Sequence, residues 1–333
     1  MKKKAIITGI NGQDGYFLSR FLLKKNYDIY GFYRNLNNGW IKENDRNNLN
    51  LLHCDIKDEK KVNEYIINIK PDEIYNLASQ SRPSSSWKEE QETFQVNLFG
   101  TVNIFRSVLE NNFKSKIFHA SSSEMFGATK ESSINNNCLM EAVNPYGVSK
   151  IAAHNYCKIF RETYNLFIST GIMFNHESEF RPKDFLSQKI AYGAACAKLN
   201  ILNSPDFNEL GLPMVNNGKL ELGNLDVMKD WGYAGDYVKC MWLMLQETSP
   251  DDYVVGTGKL HSIKEMCEAA YSSVGLNWEN HIKINSNLKR ISETSTISAN
   301  TTKAYNNLKW KAETTFKEMI KNMVYKQIIK LKK

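Results

Sequence analysis

The chain has 333 residues, 42% of them hydrophobic and 24% charged, and a formal net charge of +7. That balance excludes a disordered or collagen-like chain, and the length suits two domains or one large α/β unit with an appendage. Three lysines in the first four residues and a net five positive charges from Phe316 onward leave the body between them at −1, so the charge does not argue for nucleic acid as a partner.

In chain order, Ala5–Thr8 reads as a compact apolar strand, and Phe17, Leu18, Phe21 and Leu22 then recur at helical spacing. Tyr27–Tyr33 and Leu51–Cys54 read as further strands, 62–69 as a helix and Glu73–Leu77 as a fourth strand. A strong helix over 96–109, a strand at Lys116–Ala120, a helix over 146–163 and a strand at Phe167–Met173 follow. Repeated β-α-β units of this length predict an α/β fold, a Rossmann-type doubly wound parallel sheet with ligands at its carboxyl edge. The second half is less regular. Residues 199–219 read as an extended surface insertion and 283–303 as polar loop, while Ile320, Val324, Ile328 and Leu331 mark one face of a terminal helix.

The six cysteines show no CxxC spacing and the six histidines no i,i+4 pair, which predicts reduced thiols, a cytoplasmic setting and no metal site. The apolar run after Lys2-Lys3-Lys4 is too short for a signal core. No run of about 18 apolar residues is present to span a membrane.

Gly9-Ile10-Asn11-Gly12-Gln13-Asp14-Gly15 follows the first strand and opens the first helix. Gly9 permits the tight turn, Gly12 lets backbone N–H groups approach a pyrophosphate, and Gly15 lets helix and strand pack closely. The whole turn, with Asn11, Gln13 and Asp14, is a dinucleotide cradle. After the second strand comes Arg34 and no acidic residue. An Arg there accommodates a 2′-phosphate by charge-assisted hydrogen bonds, so the cofactor is read as NADP. Asp55 and Ile56 close the third strand, where Asp55 can hold the adenine amino group.

Tyr146 and Lys150 stand one helical turn apart. A nearby ammonium, helped by the positive nicotinamide, pulls a phenol from its usual value of about 10 toward neutrality and makes it a general base. Ser122 and Glu124 end the fifth strand, at the edge where chemistry is expected.

With these motifs in this order, the chain resembles the extended short-chain dehydrogenase/reductases that act on nucleotide sugars, and more closely the GDP-mannose 4,6-dehydratase family. The matching segments run through most of the chain: Thr8–Gly15, Tyr75-Asn76-Leu77, Gln80-Ser81, Ser123-Glu124, Pro145–Lys150, Asn175-His176-Glu177-Ser178, Gly223-Asn224-Leu225-Asp226, Lys229-Asp230-Trp231-Gly232, Asp236-Tyr237-Val238, and Arg290 with Glu293.

The resemblance implies an NADP-binding domain over 1–174 and a smaller C-terminal α/β sugar-nucleotide domain over 175–333, with 221–250 a candidate to rejoin the first sheet. It implies that Leu77, Ala78, Gln80 and Ser81 lie along the cofactor and that His176 and Arg181 approach the nicotinamide side. Ser81, Ser122, Asn175, Glu177, Lys189, Asn224, Lys229, Arg290 and Glu293 map to the substrate pocket, with Lys229 and Arg290 as diphosphate partners.

The implied reaction begins with Tyr146 taking the sugar 4-hydroxyl proton while hydride leaves C4 for NADP. Glu124 then removes the C5 proton and returns it to the departing 6-hydroxyl, and the hydride comes back to C6. Lys150 holds Tyr146 and the nicotinamide ribose. A homodimer through a four-helix bundle at 96–113 and 146–163 is implied, with a tetramer left open.

Ser122 stands where the family has Thr and Lys229 where it has Arg, the segment after Arg34 is short, and the 199–219 insertion is this chain's own. GDP-heptose or a GDP-N-acetylhexosamine therefore stands beside GDP-mannose as substrate. Ser121-Ser122-Ser123 also suits a nucleotide-sugar epimerase or 4-reductase, and a catalytically silent NADP-binding protein is a third reading.

Overall fold

The computed structural model describes residues 2–36, 41, 48–208, 211–288 and 295–332. Arg290 and Glu293 lie outside the described residues. In chain order the strands are β1 (Lys4–Thr8), β2 (Asp28–Tyr33), β3 (Asn50–His53), β4 (Glu73–Asn76), β5 (Lys116–Ser122), β6 (Ser133–Ile134), β7 (Ile168–Met173), β8 (Asn175–Glu177), β9 (Val215–Asn216), β10 (Lys219–Leu222), β11 (Met228–Tyr233), β12 (Asp252–Val255), β13 (Leu260–Ser262), β14 (Ile282–Ile284) and β15 (Ser298–Ala299).

Seven of them form a parallel sheet in the order β12-β7-β5-β4-β1-β2-β3. Its central strands are buried along nearly their whole length because both faces are covered. Alternation along the strands divides the core in two. Ile6, Ile74, Ile117 and Ile168 pack under the helices Glu59–Ile69, Gly100–Glu110 and Pro145–Tyr164. Ala5, Ile7, Tyr75 and Phe118 pack under Gln13–Lys24 and Ala234–Gln246. The last two elements of this layer, the Ala234–Gln246 helix and β12, come from late in the chain. The chain winds outward from β1 through β2 to β3 and then restarts on the other side of β1 at β4. The crevice between β1 and β4 is thus the switch point where such sheets take their ligands.

A second lobe gathers β9-β10-β14 and β8-β11-β13 against the helices Leu186–Lys198, Ile263–Ser272 and Phe316–Leu331. The terminal helix opens with a capping box between Thr315 and Glu318 and buries Met319, Ile320, Met323 and Val324.

Three local expectations change. The helix read over 96–109 begins at Glu90 and passes through a π-helical turn at Gln95–Phe99, because buried Asn97 is drawn into side-chain hydrogen bonds. The 199–219 stretch does not lie wholly on the surface. Met214 and Val215 are buried in the second core and β9 pairs with β10, while Leu202, Phe207 and Leu212 stay exposed. The 283–303 stretch contributes β14 and β15, which its polar sequence hides because both strands are short and half-exposed. Among the described residues no helix is long and apolar enough to cross a membrane.

Candidate active site

The crevice is closed at its base by Thr8, whose Oγ1 donates to Asn76 Oδ1 at 2.9 Å and accepts from the Leu77 and Ala78 N–H groups at 3.0 Å each. This clamps the segment after β4 against the turn after β1. Gly9 has φ +67°, and a Cβ there would stand 3.0 Å from the Ala78 Cα, so the turn excludes any side chain. A Cβ on Gly15 would lie 2.6 Å from the Ile10 Cα, so the first turn of the helix packs directly on the backbone of the turn after β1. Gly12 is the N-cap of the Gln13–Lys24 helix and supplies no side-chain acceptor. The helix therefore directs its first-turn N–H groups and the positive end of its dipole at the crevice, a fit for a phosphate.

At the other end of the crevice, Arg34 Nη1 is 2.7 Å from Glu92 Oε1, and Lys57 Nζ is 2.6 Å from Glu92 Oε2. Lys57, with Arg34, holds the Glu92 carboxyl below its ordinary value by hydrogen bonding and charge. Lys57 also stands 3.7 Å from Asp55. Two cations thus bracket one carboxylate where β2 and β3 end. Ile56 packs on the Gly100–Glu110 helix: a Cβ on Gly100 would meet its side chain at 2.6 Å.

Ser122, Glu124, Tyr146 and Lys150 come together at the carboxyl end of β5. Ser122 is the last strand residue, and its Oγ caps the following turn by accepting the Glu124 N–H at 3.2 Å. The Pro145–Tyr164 helix brings its first turn against that cap. A Cβ on Gly147 would lie 2.6 Å from the Glu124 carbonyl oxygen. Lys150 Nζ donates to the Ala120 carbonyl at 3.0 Å and stands 5.7 Å from the Tyr146 ring centre.

Burial dominates the electrostatics. It pushes the Tyr146 phenol up to about 12 despite a hydrogen bond with Ser122, and the Lys150 ammonium down to about 8. The expected activation of the phenol is absent from the protein alone, because desolvating an anion outweighs a cation held off by a backbone carbonyl.

The NHES segment folds onto the glycine turn. His176 Nε2 lies 2.9 Å from Asp14 Oδ2, and its Nδ1 lies 2.7 Å from the Phe174 carbonyl. Gln13 donates to the His176 carbonyl at 3.0 Å and accepts from Ser178 Oγ at 2.8 Å. His176 stacks on Tyr237 at 4.8 Å. It therefore supports the turn from below, where the resemblance implies a cofactor contact. Glu177 is buried. Its Oε2 accepts from Ser187 Oγ at 2.6 Å and pairs with Arg181 Nε at 3.1 Å. Arg181 in turn lies over the Phe185 ring. Asn175 lies on β8 opposite Trp231, and Lys189 is on the Leu186–Lys198 helix. Asn224 bends its own loop by accepting from Asp226 N–H, and Lys229 reaches toward the Ser295 carbonyl. Ser81 is exposed, next to Gln80. Asn11 donates to the Asn35 carbonyl.

Two residues of the site escaped sequence reasoning. Asn97 Oδ1 accepts from Gln80 N–H (2.9 Å) and Ser79 Oγ (2.8 Å), and its Nδ2 donates to Ser149 Oγ at 2.9 Å, tying the Gln80 loop to the Tyr146 helix. The available signal was a polar residue on a helix face otherwise apolar at 104 and 108. The other is Asn144, the N-cap of that helix, a choice consistent with a Pro at the next position.

The model of the family described as GDP-mannose 4,6 dehydratase matches residues 6–323. A GDP-mannose 4,6 dehydratase from Arabidopsis thaliana is 36% identical over 337 residues, covering 97% of this chain and 89% of that protein. Two solved structures share the fold. One is a UDP-glucose 4-epimerase from Thermus thermophilus in complex with NAD (TM-score 0.82, 18% identity, 97% of this chain and 98% of that one). The other is RMD from Pseudomonas aeruginosa complexed with NADPH (TM-score 0.80, 19% identity, 98% of this chain and 100% of that one).

Proposed function

The chain belongs to the GDP-mannose 4,6-dehydratase family, and on that premise we propose that it converts GDP-mannose, or a GDP-sugar close to it, into the GDP-4-keto-6-deoxy sugar. The observation that carries this reading is the meeting of Ser122, Glu124, Tyr146 and Lys150 at one strand end beside a phosphate-ready glycine turn. A nicotinamide cofactor, held by the glycine turn, would supply hydride acceptance from C4 and its return to C6. The chain's own residues move the protons. Tyr146 takes the 4-hydroxyl proton, with Ser122 on the same oxygen and Lys150 charged beside it. The 4-ketone acidifies C5–H, and Glu124 takes that proton and delivers it to the hydroxyl that leaves C6 as water. When the hydride returns to C6, C5 regains a proton, matching the one taken from the 4-hydroxyl. Epimerisation or reduction at C4 needs no base at C5, so Glu124 favours the dehydratase over a 4-epimerase or 4-reductase.

NADP is the cofactor supported by Arg34 and Lys57, two cations where the adenosine ribose would lie, with no carboxylate ending β2. Arg34, paired with Glu92 in this structure, would turn to a 2′-phosphate when one is bound. Gly9, Gly12 and Gly15 cradle the pyrophosphate, and Asp55, Ile56, Leu77, Ala78 and Gln80 line the remainder. Ser81, Asn175, Asn224 and Lys229 face the sugar nucleotide. Glu177 acts through Arg181. The working unit is a homodimer formed through the exposed apolar face of the Pro145–Tyr164 helix.

The test is product mass. Incubation with GDP-mannose and GDP-heptose gives loss of one water with no net consumption of NADPH. Isomerisation at unchanged mass, or steady NADPH use, overturns the proposal. Glu124→Gln is expected to form the ketone without losing water, and Tyr146→Phe to stop both steps.

A further inference from the structure

Glu124 is held at both ends. Its N–H donates to Ser122 Oγ at 3.2 Å, and its carboxylate Oε2 accepts from Asn144 Nδ2 at 2.9 Å. The same Asn144 is 6% exposed, and its Oδ1 accepts from the Gly147 N–H at 2.8 Å as the N-cap of the Pro145–Tyr164 helix. The two bonds fix the amide's orientation, because a backbone N–H can only donate and a carboxylate only accept. Val148 N–H adds a bond to the Asn144 carbonyl at 3.1 Å. One planar amide therefore joins the start of the helix carrying Tyr146 to the carboxylate that must reach C5.

We infer that Asn144 is a positioning residue that sets the Glu124 carboxylate in register with the Tyr146 phenol, so that the base which loses water stands at a fixed offset from the base which starts the oxidation. The two proton transfers act on neighbouring sugar carbons within one bound substrate, so the distance between the bases must be held while the sugar stays in place. Asp or Ser at the cap would hold the helix equally well, but neither offers an amide N–H to the carboxylate. Asn alone does both.

The inference rests on Glu124 as the C5 base, and the variants separate the two. With cofactor-loaded protein and GDP-mannose in a single turnover, Asn144→Ser keeps the cap and loses the donor. Reduced nicotinamide is expected to form at the native rate and to disappear about 10-fold or more slowly, with KM within about twofold and the melting midpoint little changed. Asn144→Asp also keeps the cap but turns a like charge on Glu124, and is expected to slow water loss further. In a Glu124→Gln background, Asn144→Ser is expected to add nothing, since a positioning residue has no effect once its target is gone. Native discharge of reduced nicotinamide in Asn144→Ser, or an additive loss in the double variant, overturns the inference. Native water loss in Glu124→Gln overturns the base assignment instead, whatever Asn144 does.

Discussion

At the scale of single residues, the site is governed by competition between burial and charge. Lys150 is held on a strand carbonyl and Tyr146 is fully enclosed, so one base is made weaker as a cation and the other harder to ionise. Since burial lowers the Lys150 ammonium to about 8, the side chain is charged below that value and neutral above it. Its support of a Tyr146 phenolate is lost on the alkaline side, and kcat/KM is expected to fall as pH rises through about 8. Lys150→Arg, slower overall but charged throughout, is expected to show no fall there in a pH–rate profile. An unchanged alkaline limb in that variant would assign the titration to another group. The i,i+4 spacing and the strand-end serine and glutamate were legible because each depends on local geometry alone. Burial was not, since it depends on what the remainder of the chain places over the site.

Between elements, the motifs turn out to recognise one another. Asp14 and Gln13 of the glycine turn are the partners of His176 and Ser178. Asp230 accepts from the Thr257, Gly258 and Ala299 N–H groups, pinning β11 to the loop after β12 and to β15. Asp236 accepts from the Glu313 and Thr314 N–H groups and so fixes the approach to the terminal helix. A sequence motif does not say whether its residue meets a ligand or another motif; the cofactor reading of His176 came from the resemblance, and the bond to Asp14 is what the structure adds.

The Asp14–His176 pair also carries a pH signature. Burial opposes both charges, but the partner's charge and hydrogen bond prevail, raising His176 above its ordinary 6.5 and lowering Asp14 below 3.8. The histidine contributes stability in full below 6.5 and loses it as pH rises through its raised value. The aspartate contributes in full above 3.8 and loses it as pH falls through its lowered value. Both contributions are complete between those limits. His176→Asn is expected to cost roughly 2 kcal/mol or more near pH 6 and clearly less near pH 9, by denaturant unfolding. Equal losses at both pH values would show that the histidine is neutral throughout. Six of the seven parallel strands were readable within a residue or two, because strands buried on both faces are rich in apolar residues; β12 was not read. β14 and β15 were not, because each is two or three residues long and half in water.

For the whole molecule, the exposed residues of the Pro145–Tyr164 helix are where the proposed homodimer can be tested. Tyr146, Lys150, Ala153 and Cys157 are buried toward the sheet, while Val148, Tyr156 and Ile159 are 46%, 40% and 49% exposed on the other side, with Phe99 51% exposed on the preceding segment. A helix apolar on both sides has a second surface to cover. A twofold pairing of this face with a second copy of the chain buries each of these side chains twice. Val148 and Ile159 are already half covered, so completing the burial is worth about 1 kcal/mol for each of four side chains, or roughly a thousandfold in the dissociation constant. Aspartates at these positions remove that gain and place four like charges at the seam. Sedimentation velocity is expected to find the wild-type chain as a dimer at micromolar concentration and Val148→Asp/Ile159→Asp as a monomer. Because the opposite side of the same helix carries Tyr146 and Lys150, the monomer is also expected to melt earlier and to turn over more slowly. A wild-type monomer, or a double variant that stays dimeric, would remove this face from the assembly and leave its apolar side chains without a structural account.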